Sequence, residues 1–241
     1  MAKRKLRALF FDVDDTIYSS TDFAAAARLQ AAQAMIRAGL RVDEATLVGE
    51  LEEVIGEFGS NDSRHFDKLL RRLPPEAIPP GGRLLTIVAG VIAYHQCKNN
   101  NFTPYEDALE VLRRLHEKGL RLGIVTAGIA MKQAEKILRL GLLPLFKPEH
   151  IFITEEVGIA KSNPKIYALA CRAIGAPPGE CGYVGDNPAV DIDVPSRIGM
   201  ITFISRRGGK YENAPGTASP GHVIHNFWDL LDILEKEYEI A

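Results

Sequence analysis

The fold is indicated by one stretch near the start of the chain, Ala8-Leu9-Phe10-Phe11-Asp12-Val13-Asp14-Asp15-Thr16. Its first four residues form an apolar run without alternation, which is typical of a strand buried on both faces of a parallel sheet. Ligands of such sheets bind beyond the carboxyl ends of the strands, so the three carboxylates are expected at the mouth of a crevice. Carboxylates gathered there require a cation, a proton or separation. Because the ligands are all oxygens, Mg²⁺ is favoured over zinc.

The composition is that of an ordinary globular protein. The chain has 241 residues, of which 46% are hydrophobic, enough for one large domain or two unequal ones. The net charge of −2 lacks the basic excess of a nucleic-acid surface, and the apolar stretch 84–94 is too short to cross a bilayer. We therefore expect no nucleic-acid or membrane partner. Cys97, Cys171 and Cys181 lie in apolar contexts and are expected to be reduced, buried thiols of a cytoplasmic protein.

Residues 18–102 show helical periodicity without a strand pattern. The predicted helices are Phe23–Gly39, Asp43–Phe58, Ser60–Leu73 and Gly82–Cys97. Helices that follow one another in this way form a small bundle. We predict a helical bundle cap over residues 18–102, inserted into a catalytic core of residues 1–17 and 103–241.

Strand and helix patterns alternate from Pro104 onward. Together with the first strand, Leu6–Asp12, the predicted strands are Arg121–Val125, Ile151–Thr154, Gly182–Val184, Met200–Ile204 and the weak edge strand Val223-Ile224. This alternation predicts an α/β fold, with a Rossmann-like parallel sheet core and an inserted all-helical cap domain.

Polar side chains follow four of these strands, and parallel strands bring their carboxyl ends to one edge of the sheet. A carboxylate there can attack phosphorus, while a cation and a lysine shield the negative oxygens. A hydroxyl and the N–H groups of a helix start can hold a phosphate, and a second carboxyl can act first as acid and then as base. The residues that offer these groups are Asp12, Asp14, Thr126, Ala127, Gly128, Lys161, Asp186 and Asp191.

The order of these residues resembles the motifs of the haloacid dehalogenase superfamily. Asp12-Val13-Asp14-Asp15-Thr16 is similar to the first motif, Asp-x-Asp-x-Thr, and Thr126 after its apolar strand is similar to the second. Lys161 resembles the third motif, and Gly185-Asp186 followed by Asp191 resembles the fourth. The resemblance covers essentially the whole chain, and the helical insert is similar to the cap of one subfamily. It implies a Mg²⁺-dependent phosphatase that forms an aspartyl-phosphate.

The resemblance implies roles for the acidic residues. Asp12 is the expected nucleophile and a metal ligand, and Asp14 is the expected general acid and base, with its backbone carbonyl on the metal. Asp186 is the expected Mg²⁺ ligand, with support from Asp191. Asn187 is expected either to cap the next helix or to contact metal-bound water.

The same resemblance implies that Thr126, Ala127 and Lys161 bind the phosphoryl group. Two positions depart from the family pattern. Ala127 stands where an asparagine often follows the threonine, and Ser162 stands where a proline often follows the lysine. The second departure leaves Lys165 as a rival for the phosphate contact.

The acidic residues argue against dehalogenation. A halide leaves without a proton, and a monoanionic carboxylate substrate needs no Mg²⁺, so a dehalogenase has no use for Asp14 or for the acidic pair. A phosphate ester needs both, and this distinguishes two chemistries on one fold.

The predicted cap carries a polar cluster, in which Asn61, Arg64 and His65 are candidate substrate contacts. Helix starts bind anions, but such a cluster is also typical of a helix cap with a solvated face.

The expected substrate is a small phosphorylated metabolite, because a cap excludes large ones. Two alternatives remain. A sugar phosphomutase would use the same carboxylates but return the phosphoryl group to its substrate, and a non-enzymatic relative would only bind a phosphorylated ligand. The chain is expected to be a monomer or a homodimer.

Overall fold

The computed structural model describes residues 3–240, without the side chains of residues 98–101. The chain divides into two compact units. The larger unit comprises the chain up to Thr21 and from Thr103 onward, and the smaller unit is Asp22–Phe102.

A six-stranded, fully parallel sheet forms the centre of the larger unit, with the strand order β4-β3-β2-β5-β6-β7. The central strand β2 lies between β3 and β5, and Phe11 is level with Ile124 on one side and Val184 on the other. The predicted α/β class and parallel sheet are confirmed. The strands are β1 Arg4–Leu6, β2 Ala8–Phe11, β3 Arg121–Thr126, β4 Ile151–Ile153, β5 Cys181–Gly185, β6 Ile201–Ser205, β7 His222–Ile224 and β8 Tyr238–Ile240.

The helices of both units are long enough to cover apolar surface, except two short ones. They are α1 Ser20–Arg37, α2 Glu44–Phe58, α3 His65–Arg72, α4 Arg83–Asn101, α5 Glu106–Glu117, α6 Ala130–Arg139, α7 Thr154–Val157, α8 Lys165–Ile174, α9 Asp193–Ser196 and α10 Phe227–Glu237. Within the described residues, none of them combines the length and the apolar character that a membrane crossing requires.

The prediction of one continuous first strand, Leu6–Asp12, is wrong. Its residues belong to two strands that separate at Arg7, and β1 pairs in parallel with β8 in a sheet of its own. β8 was not predicted, because three residues at the end of an amphipathic helix carry no strand pattern of their own.

Burial around β2 agrees with its apolar sequence. All four of its side chains are buried. The ring of Phe11 stacks on Phe227, with 5.9 Å between centroids and 16° between planes, and meets the edge of Phe146 at 6.1 Å. These contacts fix the strand on which the first acidic residues are carried.

The smaller unit is helical and has its own core, which includes Met35, Leu47 and Leu69. Two predicted boundaries are wrong. The third helix begins at His65 rather than Ser60, because the Asp62 carboxylate accepts a hydrogen bond from the Arg64 N–H at 2.7 Å and holds a turn there. The fourth helix continues through Asn99–Asn101 instead of ending at Cys97.

We predict that Phe11→Ala lowers the free energy of unfolding of the protein by about 3–5 kcal/mol, because the ring is fully buried and leaves a cavity between two aromatic neighbours. Urea denaturation followed by circular dichroism measures it. Met131→Ala is the control, because that side chain is 81% exposed and its loss is expected to change stability by less than about 0.5 kcal/mol. Equal effects of the two substitutions would contradict the assignment of the core.

Candidate active site

The first acidic residues lie in a tight turn at the carboxyl end of β2. The Asp12 N–H extends the ladder to Val184 O at 2.9 Å, and the Asp12 carboxylate accepts a hydrogen bond from the Val13 N–H at 2.8 Å. Asp15 has a positive φ of 49°, and its carboxylate accepts hydrogen bonds from both the N–H and the hydroxyl of Thr21. Asp15 therefore shapes the turn.

A second acidic group comes from the end of the neighbouring strand β5. The carboxylate oxygens of Asp12, Asp186 and Asp191 include a set that lie within 4.8 Å of one another, and all three residues are buried. The Asp191 carboxylate folds back onto Gly185 and accepts a hydrogen bond from the Asn187 N–H at 3.0 Å. A side chain at Gly185 would occupy the same space, since an added Cβ would lie 2.4 Å from Asp191 Cγ.

Lys161 supplies positive charge to this cluster. Its ammonium lies 3.0 Å from the Asp12 carboxylate and 2.5 Å from the Asp191 carboxylate, and its side chain is 3% exposed. The rival, Lys165, is exposed at the start of α8, where its N–H donates to Asn163. The structure therefore brings Lys161, and not the Lys165 side chain, to the acidic cluster.

Two buried tyrosines support the loops that carry these groups. The Tyr167 hydroxyl donates to Val190 O and the Tyr183 hydroxyl donates to Val125 O, each at 2.7 Å, and the two rings meet edge to face at 5.0 Å. The Lys161 ammonium lies 5.3 Å from the centroid of the Tyr183 ring. The cluster is thus built on packed side chains rather than on exposed loops.

The carboxylates of the cluster carry more negative charge than Lys161 balances. Burial raises the pKa of Asp12 to about 6, against the lowering effect of Lys161. Burial, together with the neighbouring Asp12 and Asp191, raises the pKa of Asp186 to about 8. In turn, Asp12 and Asp191 raise the pKa of Lys161 although burial acts in the opposite direction. A buried, oxygen-only set with surplus negative charge fits a hard divalent cation.

Asp14 has a different set of partners from Asp12. Its carboxylate accepts hydrogen bonds from the Tyr18 hydroxyl at 2.6 Å and from the Gln133 amide at 3.0 Å, and the Lys136 ammonium lies 2.7 Å from each of its oxygens. Against the effect of burial, Lys136 lowers the pKa of Asp14. The Asp14 side chain is thus held by α6, and its backbone carbonyl remains the predicted metal contact.

Thr126 ends β3, directly beside β2. It is fully buried, and its hydroxyl has no hydrogen-bond partner among the described residues. Such an orphaned hydroxyl fits a bound oxyanion. The Gly128 N–H donates to the Thr154 hydroxyl at 3.2 Å, and its contact with an oxyanion stays a prediction. Ala127 lies between Thr126 and Gly128 in the chain, and its carbonyl accepts a hydrogen bond from Gln133 at 2.8 Å.

Three further candidates have local contacts. The Asn187 carboxamide oxygen accepts a hydrogen bond from the Ala189 N–H at 3.2 Å, which is the capping alternative. In the smaller unit, the Arg64 N–H donates to Asp62, and the His65 ring lies 2.8 Å from Gly59 O. These contacts are those of a capped turn, and a substrate contact of Asn61, Arg64 or His65 stays a prediction.

Sequence reasoning missed Tyr18, Gln133 and Lys136. Gln133 and Lys136 lie three residues apart on α6, so they project from one face of the helix. That spacing was their only signal in the sequence, and solvated helix faces show it as well.

Comparison with known proteins identifies similar chains. The family model described as haloacid dehalogenase-like hydrolase matches residues 6–199. A glyceraldehyde 3-phosphate phosphatase of Methanopyrus kandleri is 42% identical over 96% of this chain and 98% of its own length. One of Pyrococcus furiosus is 39% identical over 97% and 95%. The crystal structure of a HAD phosphatase from Thermococcus onnurineus has a TM-score of 0.66 at 24% identity, covering 96% of this chain and 99% of that one, and shows the likeness of fold.

We predict that Gly185→Ala weakens divalent-cation binding by about tenfold or more, because the added Cβ displaces the Asp191 carboxylate from the cluster. Calorimetric titration with Mg²⁺ measures the affinity. Gly179→Ala is the matched control, since the nearest atom to its added Cβ is 4.0 Å away, and it should bind the cation as the unmodified protein does. Unchanged affinity in Gly185→Ala would show that the cation does not depend on this cluster.

Proposed function

This chain belongs to the haloacid dehalogenase-like hydrolases and is a phosphoric monoester hydrolase, and we propose that Asp12 is its nucleophile and Mg²⁺ its cofactor. The observation that carries the proposal is the buried Asp12 carboxylate in contact with Lys161, within the cluster that includes Asp186 and Asp191. A nucleophilic carboxylate must approach an anionic phosphoryl group, so it requires positive charge at this point.

In the first half-reaction, an Asp12 carboxylate oxygen attacks the phosphorus atom. The Lys136 ammonium favours the carboxylate form of Asp14, so Asp14 must first take up a proton. The bond between phosphorus and the ester oxygen then breaks, and Asp14 gives this proton to the leaving oxygen. Lys161 and the Thr126 hydroxyl contact the phosphoryl oxygens as the charge on them shifts. Asp12, Asp186 and the Asp14 carbonyl, with support from Asp191, would hold Mg²⁺, which would supply further neutralisation of that charge.

In the second half-reaction, water attacks the phosphorus atom of the aspartyl-phosphate. The Asp14 carboxylate takes a proton from this water, the acyl phosphate bond breaks, and phosphate and the Asp12 carboxylate are released. Asp14 thereby recovers the proton that it gave to the leaving group. The same carboxyl group thus serves both half-reactions, so its position matters in each.

Glyceraldehyde 3-phosphate is the substrate that we propose. Two relatives with that activity in their names share about two fifths of their residues with this chain, over nearly the whole length of this chain and of their own. A short phosphorylated sugar also fits the expectation of a small metabolite from the inserted helical unit. Cys97, Cys171 and Cys181 are buried and reduced, which supports the proposed cytoplasmic location.

We predict that phosphate release from small esters requires Mg²⁺ and falls by about 10³-fold or more in Asp12→Asn, because the amide cannot attack phosphorus. Phosphate is measured with and without a chelator. Asp232→Asn is the control, because that carboxylate lies on the exposed face of α10 and pairs only locally with Lys236. Residual activity in Asp12→Asn equal to that of the control would contradict the assigned nucleophile.

The same assay tests the substrate. Across a panel that includes glycerol 3-phosphate, phosphoglycolate and glucose 1-phosphate, glyceraldehyde 3-phosphate is expected to give the highest kcat/KM, by about tenfold. Equal values across the panel would contradict a dedicated substrate. Conversion of glucose 1-phosphate into its 6-phosphate isomer without phosphate release would instead support the mutase alternative.

A further inference from the structure

The Asp14 carboxylate is held from three directions. The Lys136 ammonium contacts both of its oxygens at 2.7 Å, the Tyr18 hydroxyl donates to one oxygen at 2.6 Å, and the Gln133 amide donates to the other at 3.0 Å. Gln133 and Lys136 project from one face of α6. This helix follows the loop of Ala127, Gly128 and Ile129, which comes directly after Thr126 and which we call the phosphate-binding loop. We call these three side chains the Asp14 bracket.

Gln133 also connects two loops of the active site. Its side-chain nitrogen donates both to Asp14 and, at 2.8 Å, to the carbonyl of Ala127. Gln133 is 3% exposed. The neighbouring Gly128 has a φ of +141°, and its lack of a side chain makes room for Gln133, since a Cβ there would lie 2.7 Å from the Gln133 amide nitrogen. The acid–base residue and the phosphate-binding loop are therefore fixed to the same helix.

Asp14 needs such a bracket for two reasons. An aspartate side chain has several accessible rotamers, and proton transfer in both half-reactions requires one of them, within hydrogen-bond reach of the reacting oxygen. After the first proton transfer, Asp14 also becomes a carboxylate, two residues from the phosphorylated Asp12. The Lys136 ammonium contacts Asp14 and compensates the negative charge of its carboxylate. Lys161 is already paired with Asp12 and Asp191.

We propose that Lys136 is the positioning residue and counter-ion of Asp14, assisted by Gln133, and that it sets the rate of the acid–base steps rather than substrate binding. The proposal rests on the proposed function, because it assigns Asp14 to proton transfer. It extends the site to α6, outside the motifs that the sequence displays.

Two substrates with different leaving groups distinguish this role of Lys136 from support of the fold alone. Nitrophenolate leaves without a proton, so transfer from p-nitrophenyl phosphate to Asp12 does not require Asp14 as acid, whereas transfer from glyceraldehyde 3-phosphate does. In rapid-mixing experiments on Lys136→Met, we expect a burst of nitrophenolate at the unmodified rate, followed by turnover slowed about tenfold or more because the base step is impaired. With glyceraldehyde 3-phosphate, we expect phosphoenzyme formation itself to slow by a similar factor, at a little-changed KM.

The matched control is Lys132→Met, which removes an exposed lysine one turn earlier on α6 and is expected to behave as the unmodified protein does with both esters. Lys136→Arg should recover part of the lost rate because it restores the charge. Equal slowing of phosphoenzyme formation from both esters, or no slowing from either, would overturn the proposal.

A second measurement does not depend on turnover. In a crystal structure of Lys136→Met, we expect the Asp14 carboxylate to leave the Tyr18 hydroxyl or to occupy more than one position. A single Asp14 position that keeps both the Tyr18 and the Gln133 contacts would overturn the positioning role. If the unmodified protein releases no phosphate from any ester, the proposed function fails, and this structure still decides whether Lys136 positions Asp14.

Discussion

The ionised form of the acidic cluster depends on positive charge that lies within it. Asp12, Asp186 and Asp191 are buried and close together, and burial penalises each negative charge. Lys161 is the cation that the described residues place in contact with two of them. One ammonium does not balance three carboxylates, so the charges themselves explain why a divalent cation fits here. A bound divalent cation would bring the total charge of Lys161 and the three carboxylates to zero, which would remove the repulsion that an anionic substrate otherwise meets.

The fold provides this arrangement through neighbouring parallel strands. β2 and β5 are adjacent, so the residues that follow them meet at one edge although they are far apart in the chain. Gly185 lets the Asp191 carboxylate fold back over the end of β5, and Tyr167 and Tyr183, whose rings meet edge to face, support the loop. The flanking strand β3 brings the orphaned Thr126 hydroxyl to the same edge. The neighbouring parallel strands thereby concentrate charged side chains at one edge of the sheet.

The sequence predicted the parts of this site that lie at strand ends. Asp12 and Asp186 could be found because an apolar strand followed by a polar residue is a strong local pattern. Lys161 lies beyond α7 and could be found only from the order of the motifs. Gln133 and Lys136 could not, because polar residues on one helix face look the same whether they face solvent or a carboxylate. Distant pairing was equally invisible, as with β8, whose strand character depends on its pairing with β1. Local patterns thus predicted the motifs, whereas tertiary contacts determined how Asp14 is held.

The most direct test of this account is to trap the covalent intermediate. The protein would be mixed with Mg²⁺ and glyceraldehyde 3-phosphate, quenched with acid during turnover, and digested for mass spectrometry. We expect one phosphoryl group on Asp12, labile to hydroxylamine and absent from Asp12→Asn. Steady release of phosphate without modification of Asp12, or a phosphoryl group on another residue, would contradict it.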